Sequence, residues 1–314
     1  MAQAFVFPGQ GSQLVGMGKE LATAFRSARE VFDEVDDALD QSLSKLIFDG
    51  PDDQLMLTQN TQPALMAVSM AVARVLKYEG GIDVGEHGAF VAGHSLGEYS
   101  ALAAVGVFSL TDAARLLKVR GEAMQEAVPV GKGAMAAIFG LSPNDAIAIA
   151  KEAANGDVCD FANDNAPSQI VVSGCKAAVE RAIELARNLG AKRTVILPVS
   201  APFHCALMSP AADIMGSALA GVSMRDPSVP VVANISAQSV VDAVTARRLL
   251  VEQVTGRVRW RESIVYMKEA GVTTFTELGA GKVLSGLIRR IDSELITKSV
   301  ATPWEVEAYL KAKF

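Results

Sequence analysis

Short apolar runs alternate with longer amphipathic stretches along most of the chain, and these two patterns predict strands and helices respectively. Over residues 1–129 the predicted elements follow in this order: a strand at 3–7, helices at about 19–38 and 60–77, a strand at 89–92, and helices at 98–105 and 111–128. The helix from Asn60 carries Pro63 near its first turn, where a missing N–H group is tolerated. Strands separated by helices favour a mainly parallel sheet covered by helices.

The pattern changes at Val130-Gly-Lys-Gly133. From there it predicts a strand at 133–139, a helix at 143–154, strands at 157–162 and 169–173, a helix at 176–189 and a strand at 192–197. This βαββαβ order is that of a ferredoxin-like unit, with Asn163-Asp-Asn-Ala-Pro167 as its middle turn. After Pro210 the alternation returns, with strands at 230–233, 272–277 and 297–301 and helices at 242–254, 261–270, 282–291 and 303–313.

These patterns predict an α/β protein with two parts. A large domain with a mainly parallel sheet is expected to comprise residues 1–129 and 199–314. A small ferredoxin-like subdomain, residues 130–198, is inserted into it.

The segment Gly93-His-Ser-Leu-Gly97 fits the G-x-S-x-G pattern and lies between a predicted strand and a predicted helix. This context is typical of a nucleophile elbow, a sharp turn that exposes the hydroxyl of Ser95. The glycines leave room where a Cβ atom would clash with the tight backbone. The helix N-terminus directs free N–H groups at an oxyanion formed there. The alternative, a turn with a capping serine, is disfavoured by the flanking strand and helix.

A serine hydroxyl is a poor nucleophile until a base takes its proton, so the histidines are the next candidates. The chain has three. His94 adjoins the serine, His87 lies in a polar turn, and His204 lies in an apolar segment that contains Pro202. A lone histidine among apolar residues is more often structural, but elimination favours His204 as the base for Ser95.

Size and composition narrow the class of protein further. The 314 residues are enough for one large domain or two unequal ones, and no apolar run approaches the ~20 residues that cross a bilayer. The N-terminal residues lack the pattern of a signal peptide. Three cysteines form neither a metal-binding spacing nor an even disulfide framework, so we expect a cytoplasmic protein without a metal. The net charge of −6 disfavours nucleic-acid binding.

Two glycine-rich loops do not fit nucleotide-binding patterns. Gly9-Gln-Gly-Ser-Gln13 is followed by Leu14 where a dinucleotide-binding motif needs its third glycine. Gly279-Ala-Gly-Lys282 lacks the upstream glycine and the Ser/Thr of a P-loop. The first loop leaves open a turn that places the Gln10 amide near another site.

Six groups of residues together resemble the malonyl-CoA:acyl-carrier-protein transacylases. They occur in that family's order over nearly the whole chain: Phe7-Pro-Gly-Gln-Gly-Ser-Gln13, Thr61-Gln-Pro-Ala-Leu65, Gly93-His-Ser-Leu-Gly-Glu-Tyr99, Val119-Arg-Gly121, His204-Cys-Ala-Leu-Met208, and Val251-Glu-Gln253 with Val258-Arg-Trp260. Each motif is weak alone, and the combination is specific. The resemblance implies a hydrolase-like α/β parallel-sheet domain with an inserted ferredoxin-like subdomain, in agreement with the pattern.

The resemblance also implies a ping-pong reaction in fatty-acid biosynthesis. Ser95, activated by His204, would attack the malonyl thioester of malonyl-CoA. The phosphopantetheine thiol of an acyl carrier protein would then take the malonyl group from the serine. The expected partners are therefore malonyl-CoA and the carrier protein, with no cofactor, no nucleic acid and no membrane, and we expect a monomer.

The same resemblance implies roles for backbone groups. The Leu96 N–H group, as expected of the residue after the nucleophile, and a donor from Gln10 would form the oxyanion hole. The backbone carbonyl of Gln253 would be the third member of the triad. The alternative is an aspartate, which would hold the histidine more strongly, and three lie between Ser95 and His204: Asp112, Asp160 and Asp164.

Substrate-binding residues come partly from the pattern and partly from the resemblance. Arg120 lies among aliphatic residues of a predicted helix, where a cation is costly unless it is paired. A carboxylate-bearing acyl group would pair it, and a structural salt bridge is the alternative. The resemblance adds Gln62, Asn163 and Asn165, although the two asparagines also suit a turn. Phe203 replaces a serine common in the bacterial enzymes and would narrow the space beside the acyl α-carbon, or simply alter packing.

Three other functions remain open at this point: a stand-alone polyketide-type malonyl acyltransferase, a serine (thio)esterase on the same fold, and a carrier-binding module without turnover. Because the carriers of this class and this chain are both acidic, a local basic patch is expected to hold the carrier. The candidates are Lys118, Lys192, Arg193, Arg257, Arg259, Arg289 and Arg290.

Overall fold

The computed structural model describes residues 2–312, and within them the strands form two sheets. The larger sheet contains β1 (Ala2–Phe7), β2 (Phe90–Gly93), β7 (Val231–Val232), β8 (Ser239–Val240), β9 (Val272–Leu278) and β10 (Ile296–Val300). The smaller sheet contains β3 (Gly133–Phe139), β4 (Cys159–Ala166), β5 (Gln169–Cys175) and β6 (Arg193–Ile196).

Fifteen α-helices surround the two sheets within residues 2–312. They are α1 (Lys19–Ala24), α2 (Arg26–Leu39), α3 (Leu43–Asp49), α4 (Asp52–Leu55), α5 (Thr58–Gly80), α6 (Val84–His87), α7 (Gly97–Ala104), α8 (Leu110–Glu126), α9 (Pro143–Ala154), α10 (Lys176–Asn188), α11 (Ser209–Ala220), α12 (Ala243–Thr255), α13 (Trp260–Glu269), α14 (Val283–Ile291) and α15 (Pro303–Lys311). None of them is long and apolar enough to cross a membrane.

The larger sheet has the order β10-β9-β1-β2-β7-β8, and every pair is parallel except β7 with β8. In its central strand β1, Phe5 and Phe7 face one hydrophobic core, and Ala4 and Val6 face another. Side chains of α5 and α8 fill the first core, and those of α13 and α14 fill the second. A strand buried on both faces reads as a continuous apolar run, so the parallel sheet predicted from the sequence is confirmed.

The smaller sheet has the order β4-β5-β3-β6 with antiparallel neighbours, which is the predicted ferredoxin-like arrangement. Successive side chains of a strand point to opposite faces. Ala136 and Ile138 of β3 therefore join a separate core with α9 and α10, whereas Met135 and Ala137 join the main core. One face of this sheet is thus turned towards the larger domain.

The two sheets are joined where β4 meets the segment before α13. The backbone N–H of Asp164 donates to the carbonyl of Val258 at 2.9 Å, and Val258 donates back to Ala162 at 2.8 Å. The Asp164 carboxylate also accepts from Arg261 of α13 at 2.7–3.1 Å. The domain boundaries placed at residues 130 and 198 stay a prediction.

One sequence-based prediction is wrong in this part of the fold. Asn163-Asp-Asn-Ala-Pro167 is not the middle turn, because β4 continues to Ala166 and the turn lies at 167–168. The bonds to Val258 and Arg261 hold this polar segment extended. The helical pattern at 19–38 is confirmed and comprises two helices, since Phe25 between them has an extended backbone.

Other differences concern boundaries and short elements. The helix predicted from Asn60 begins at Thr58, so Pro63 lies in its second turn. The helices α3, α4 and α11 were not predicted, and His87 closes the short helix α6 where a turn was expected. The last residue of the helix predicted at 303–313 lies outside the described residues.

Candidate active site

The predicted strand–turn–helix geometry is present around Ser95. β2 ends at Gly93, α7 begins at Gly97, and the serine between them has φ 55°, in the left-handed region. A Cβ atom on Gly93 would lie 1.9 Å from the backbone carbon of Gly97. A Cβ atom on Gly97 would lie 2.2 Å from the carbonyl oxygen of Phe7. Both positions therefore require glycine, as expected for a tight elbow.

The elbow presents the hydroxyl of Ser95 to His204. Ser95 Oγ lies 2.8 Å from His204 Nε2, and His204 Nδ1 lies 3.0 Å from the carbonyl oxygen of Gln253 and 3.1 Å from that of Gly256. A carbonyl oxygen can only accept, so Nδ1 carries the proton and Nε2 is the acceptor for the serine. Burial and then the charge of Arg120 lower the pKa of His204 to about 3, which keeps the imidazole neutral.

The aspartate alternative for the third member of the triad is wrong. Two backbone carbonyls occupy Nδ1, one predicted at Gln253 and one unexpected at Gly256. The three candidate aspartates have other partners: Asp112 accepts from the hydroxyl of Ser109, the N-cap of α8, Asp160 accepts from the Ala206 N–H group, and Asp164 pairs with Arg261.

Arg120 is a buried cation, 1% exposed, that has only neutral acceptors within residues 2–312. Its Nη1 donates to Gln62 Oε1 at 2.7 Å, and its Nη2 donates to Gln253 Oε1 at 2.9 Å. Nη2 also lies 3.2 Å from Ser95 Oγ, so the charge is adjacent to the nucleophile. The structural salt bridge considered as an alternative is therefore wrong. Burial lowers the pKa of Arg120, against the opposing effects of Tyr99 and Glu98.

A cavity of about 390 Å³ opens onto the serine between the two sheets. Met135 and Val171 from the smaller sheet form part of its wall. Nine of the ten predicted site residues line it: Gln10, Gln62, Ser95, Leu96, Arg120, Asn163, Asn165, Phe203 and His204. The tenth, Gln253, is fully buried behind them. The fold therefore brings residues from six separate motifs to one place.

The two asparagines lie on strand β4 and not in a turn. Asn165 Oδ1 lies 2.8 Å from Nε2 of His94, whose ring packs against Trp260 with centroids 5.6 Å apart. Burial lowers the pKa of His94, so a neutral ring donates to the asparagine oxygen. Asn165 therefore connects the smaller sheet to the elbow.

The two proposed oxyanion donors face the same cavity. Leu96 directly follows the serine at the start of α7, and Gln10 lies in the loop after β1. Gln10 Oε1 accepts from Thr58 Oγ1 at 3.2 Å, so the oxygen of the amide is engaged and its NH₂ group remains as the donor. Their role as an oxyanion hole stays a prediction.

Two further residues hold the elbow, and the sequence did not single them out. Asn234 Oδ1 accepts from the Ser95 N–H group at 2.7 Å, and Asn234 Nδ2 donates to the Gly93 carbonyl at 2.7 Å. Glu98 Oε2 accepts from the Asn234 N–H group at 2.9 Å. The sequence held one signal for Asn234: it is a polar residue directly after the strand predicted at 230–233. In the structure this strand pairs with β2, which ends at the elbow.

Residues 2–312 contain no group of three or more His, Cys, Asp and Glu side chains that could hold a metal ion. The expectation that the protein uses neither a metal nor a cofactor stays a prediction. The groups in the cavity that can take part in a reaction are Ser95, His204 and Arg120.

The fold and the site together define a class of serine enzymes. A Ser–His pair on a strand–turn–helix elbow of a parallel sheet is the arrangement of enzymes that form an acyl ester on serine. A family model described as the acyl transferase domain matches residues 4–301, and the chain belongs to that family.

Named relatives cover almost the whole chain. The malonyl CoA-acyl carrier protein transacylase of Bacillus subtilis (strain 168) is 47% identical over 97% of this chain and 95% of its own. The acyl-carrier-protein-S-malonyltransferase of Bartonella henselae is 56% identical, with a TM-score of 0.97 over 99% of both chains. A malonyl-transacylase in complex with its type II PKS acyl-carrier protein is 43% identical, with a TM-score of 0.96 over 99% of this chain and 100% of that one.

Proposed function

We propose that this chain transfers a malonyl group from coenzyme A to the phosphopantetheine thiol of an acyl carrier protein in fatty-acid biosynthesis, through a malonyl ester on Ser95. The observation that carries the proposal is the unpaired guanidinium of Arg120, 3.2 Å from Ser95 Oγ. A malonyl group differs from an acetyl group by one carboxylate. A guanidinium binds a carboxylate through two parallel N–H···O bonds, so Arg120 selects the acyl group that carries one.

The first half-reaction forms the ester. His204 Nε2 accepts the proton of Ser95 Oγ as this oxygen attacks the thioester carbonyl. The N–H groups of Leu96 and Gln10 hold the negative charge of the tetrahedral intermediate. When the intermediate collapses, the C–S bond breaks and the thiolate of coenzyme A takes the proton from the imidazolium. The carbonyls of Gln253 and Gly256 keep the ring in its orientation throughout.

The second half-reaction runs the same steps with a different nucleophile. His204 accepts the proton of the phosphopantetheine thiol, and the thiolate attacks the malonyl ester. Collapse of the second intermediate breaks the C–O bond, and Ser95 Oγ recovers its proton from His204. Because one base serves both half-reactions and the thioester is already activated, the reaction requires no cofactor and no metal.

The pocket wall supports malonyl as the acyl group. Phe203 lines the cavity beside the catalytic pair and is almost fully buried. Its ring leaves little space for a branch at the acyl α-carbon, so methylmalonyl and larger groups are disfavoured. Gln62, Asn163 and Asn165 complete the lining around the acyl group.

A polyketide carrier is the second candidate acceptor. One observation favours it: this chain is similar to a malonyl-transacylase in complex with its type II PKS acyl-carrier protein. Comparing transfer rates to a fatty-acid and to a polyketide carrier protein decides between the two pathways. The proposal further includes a monomer in the cytoplasm, which size-exclusion chromatography and cell fractionation would test.

The direct test is an acyl-enzyme experiment on the intact protein. After mixing with malonyl-CoA, mass spectrometry should show one added malonyl group, which the carrier protein then removes. Ser95→Ala should show no adduct, and His204→Ala should form the adduct at least about 10³-fold more slowly than wild type. His87→Ala is the control, because the His87 side chain is exposed and does not line the cavity.

Three results would contradict the proposal in different ways. Rapid release of free malonate would indicate a hydrolase, and no adduct at all would indicate a carrier-binding module. An adduct on Ser95→Ala would mean that another residue is the nucleophile.

A further inference from the structure

Glu98 is a buried carboxylate directly beneath the nucleophile, and the reaction steps above do not use it. It lies in the first turn of α7, three residues after Ser95, and is only 2% exposed. Its Oε2 atom accepts from Gln253 Nε2 at 2.8 Å and from the Asn234 N–H group at 2.9 Å. A buried carboxylate is costly, so its presence beside the active site calls for a physical reason.

The hydrogen bonds link Glu98 to Arg120 through one amide. A carboxylate oxygen without a proton can only accept, and a guanidinium can only donate. The Gln253 side chain lies between the two, with Nε2 towards Glu98 at 2.8 Å and Oε1 towards Arg120 at 2.9 Å. The partners at its two ends therefore leave the amide a single orientation. The same Nε2 group also reaches the Ser95 carbonyl at 3.1 Å.

We propose that Glu98 is a positioning residue for malonyl selectivity: it fixes the Gln253 amide so that the amide oxygen faces Arg120 and holds the guanidinium for the substrate carboxylate. This inference rests on the proposed role of Arg120. Without the acceptor at Glu98, the Gln253 amide is free to rotate. Its NH₂ group then meets the guanidinium donor to donor, and Arg120 loses the contact that orients it.

The protonation state of Glu98 does not change this arrangement. Burial raises the pKa of Glu98 to about 7, against the hydrogen bonds from Asn234 and Gln253 and the charge of Arg120. Both hydrogen bonds go to Oε2, so a proton on the other oxygen leaves that acceptor in place. The acceptor, and not the charge, is the feature that orients Gln253.

Two variants separate the acceptor from the charge. Glu98→Gln keeps the shape and an oxygen at the Oε2 position, and should keep the ratio of kcat/KM for malonyl-CoA to that for acetyl-CoA within about twofold of wild type. Glu98→Leu removes the acceptor and should lower that ratio about tenfold, a size typical of coupling between neighbouring groups in one network. Acetyl transfer needs no oriented Arg120 and should fall less than malonyl transfer.

A matched control is available in the same protein. Glu277 is also fully buried and also accepts two hydrogen bonds, from the N–H groups of Leu284 at 3.0 Å and Ser285 at 2.8 Å, at the start of α14. Glu277→Leu loses the same kind of contacts outside the site. It should destabilise the fold and leave the malonyl-to-acetyl ratio unchanged. A purely structural role of Glu98 would make Glu98→Leu behave in the same way.

The deciding measurement is a double-mutant cycle with Arg120→Ala. If Glu98 acts through Arg120, Glu98→Leu should change the ratio by less than about twofold once Arg120 is absent. If Arg120→Ala lowers the ratio and Glu98→Leu does not, the inference about Glu98 is wrong and the proposed role of Arg120 stands. Arg120→Ala leaving the ratio unchanged would overturn the proposed role of Arg120 itself. If Glu98→Leu does not fold, Gln253→Met tests the same link, and an unaltered ratio in that variant would also overturn the inference.

Discussion

Two arginines of this protein contact deeply buried polar groups, and they are satisfied in opposite ways. Arg261 of α13 pairs with the carboxylate of Asp164, which is 1% exposed, through Nε at 3.0 Å and Nη2 at 2.7 Å. Arg120 of α8 is itself 1% exposed, donates to the neutral oxygens of Gln62, Gln253 and Ser95, and has no salt bridge within residues 2–312. The first arginine joins the two sheets, whereas the second faces the cavity.

The difference supports the proposed role of Arg120, because one of these cations is paired within the fold and the charge of the other is left without a carboxylate partner. In a buried ion pair each charge is already neutralised by its partner, and their attraction offsets the cost of removing both from water. Neutral amide oxygens hold a guanidinium in place without neutralising it, so its charge remains available to an anion that enters later. The unpaired state is costly in the free protein, and binding of a carboxylate relieves that cost.

The largest expected effect comes from removing the recognition cation. Arg120→Ala should lose about 3–5 kcal/mol of malonyl discrimination, because the malonyl carboxylate would then be buried without a partner. Acetyl-CoA has no such carboxylate, so its slow transfer should survive. The measurement is kcat/KM for both thioesters in wild type and variant. A parallel fall for malonyl and acetyl would mean that Arg120 supports the fold and does not contact the substrate carboxylate.

Removing the structural cation should give the opposite result. Arg261→Ala leaves the Asp164 carboxylate buried and unpaired at the joint between the sheets, which should cost about 3 kcal/mol of the free energy of unfolding. The malonyl-to-acetyl ratio should stay at the wild-type value. Urea denaturation measures the first quantity and the two kcat/KM values measure the second. A changed ratio at unchanged stability would show that the two arginines are not functionally separate.

Asp164 also shows why the sequence misled the prediction at β4. Asn163-Asp-Asn-Ala-Pro167 has the residues of a turn, and local preference alone places one there. The segment is extended because of Val258 and Arg261, which are about 100 residues away in the chain. Contacts of this range leave no local signal, so the strand could be found only in three dimensions.

The site residues that the sequence predicted depend on local signals, whereas those it missed depend on contacts between distant positions. The elbow around Ser95 was predictable because its strand, glycines and helix are adjacent in sequence. The interactions of Glu98 with Asn234 and Gln253 connect positions 136 and 155 residues apart, and no short motif records them. His204 was found by elimination, but its second carbonyl partner at Gly256 depends on a backbone turn that the sequence does not reveal.

The charge of Arg120 should also affect how kcat/KM depends on pH. Burial and then Arg120 lower the pKa of His204, and the base works only without a proton. The acid limb of kcat/KM should therefore lie below the ordinary histidine value of about 6.5. In Arg120→Ala the nearby positive charge is gone, so the limb for acetyl transfer should move to higher pH, whereas Arg261→Ala should not move it. Identical limbs in wild type and both variants would contradict the assignment of this electrostatic effect.

The smallest expected effect concerns cations that are neither buried nor paired. Of the candidates for the carrier surface, Arg259 is paired with Glu262 and Lys118 with Glu122, and Arg257 stacks on Phe161 with its guanidinium 4.0 Å from the ring centroid. These contacts compete with a partner protein for the same charges.

The remaining four are exposed, and within residues 2–312 none of them forms a salt bridge: Lys192, Arg193, Arg289 and Arg290. Arg193 also lies over the ring of Phe139, at 6.0 Å from its centroid. Arg290 donates to Gln169, and Gln169 and Arg193 flank Phe139 on the two sides of β3. Arg193 and Arg290 are therefore linked through Gln169 and Phe139 at one end of the smaller sheet, and the two arginines define the candidate basic surface.

Charge reversal on this surface should weaken the encounter with an acidic carrier and nothing else. Arg193→Glu should raise the KM for the carrier protein about three- to tenfold, as expected for a charge at the rim of an interface, and leave the rate of malonyl-serine formation unchanged. Arg26→Glu, an exposed reversal on α2 away from the cavity, is the control for the change in net charge. Raising the salt concentration should reduce the difference between Arg193→Glu and wild type, because exposed charges are screened over roughly 10 Å at 0.1 M. If both half-reactions slowed equally, or if Arg26→Glu had the same effect, the carrier would dock elsewhere.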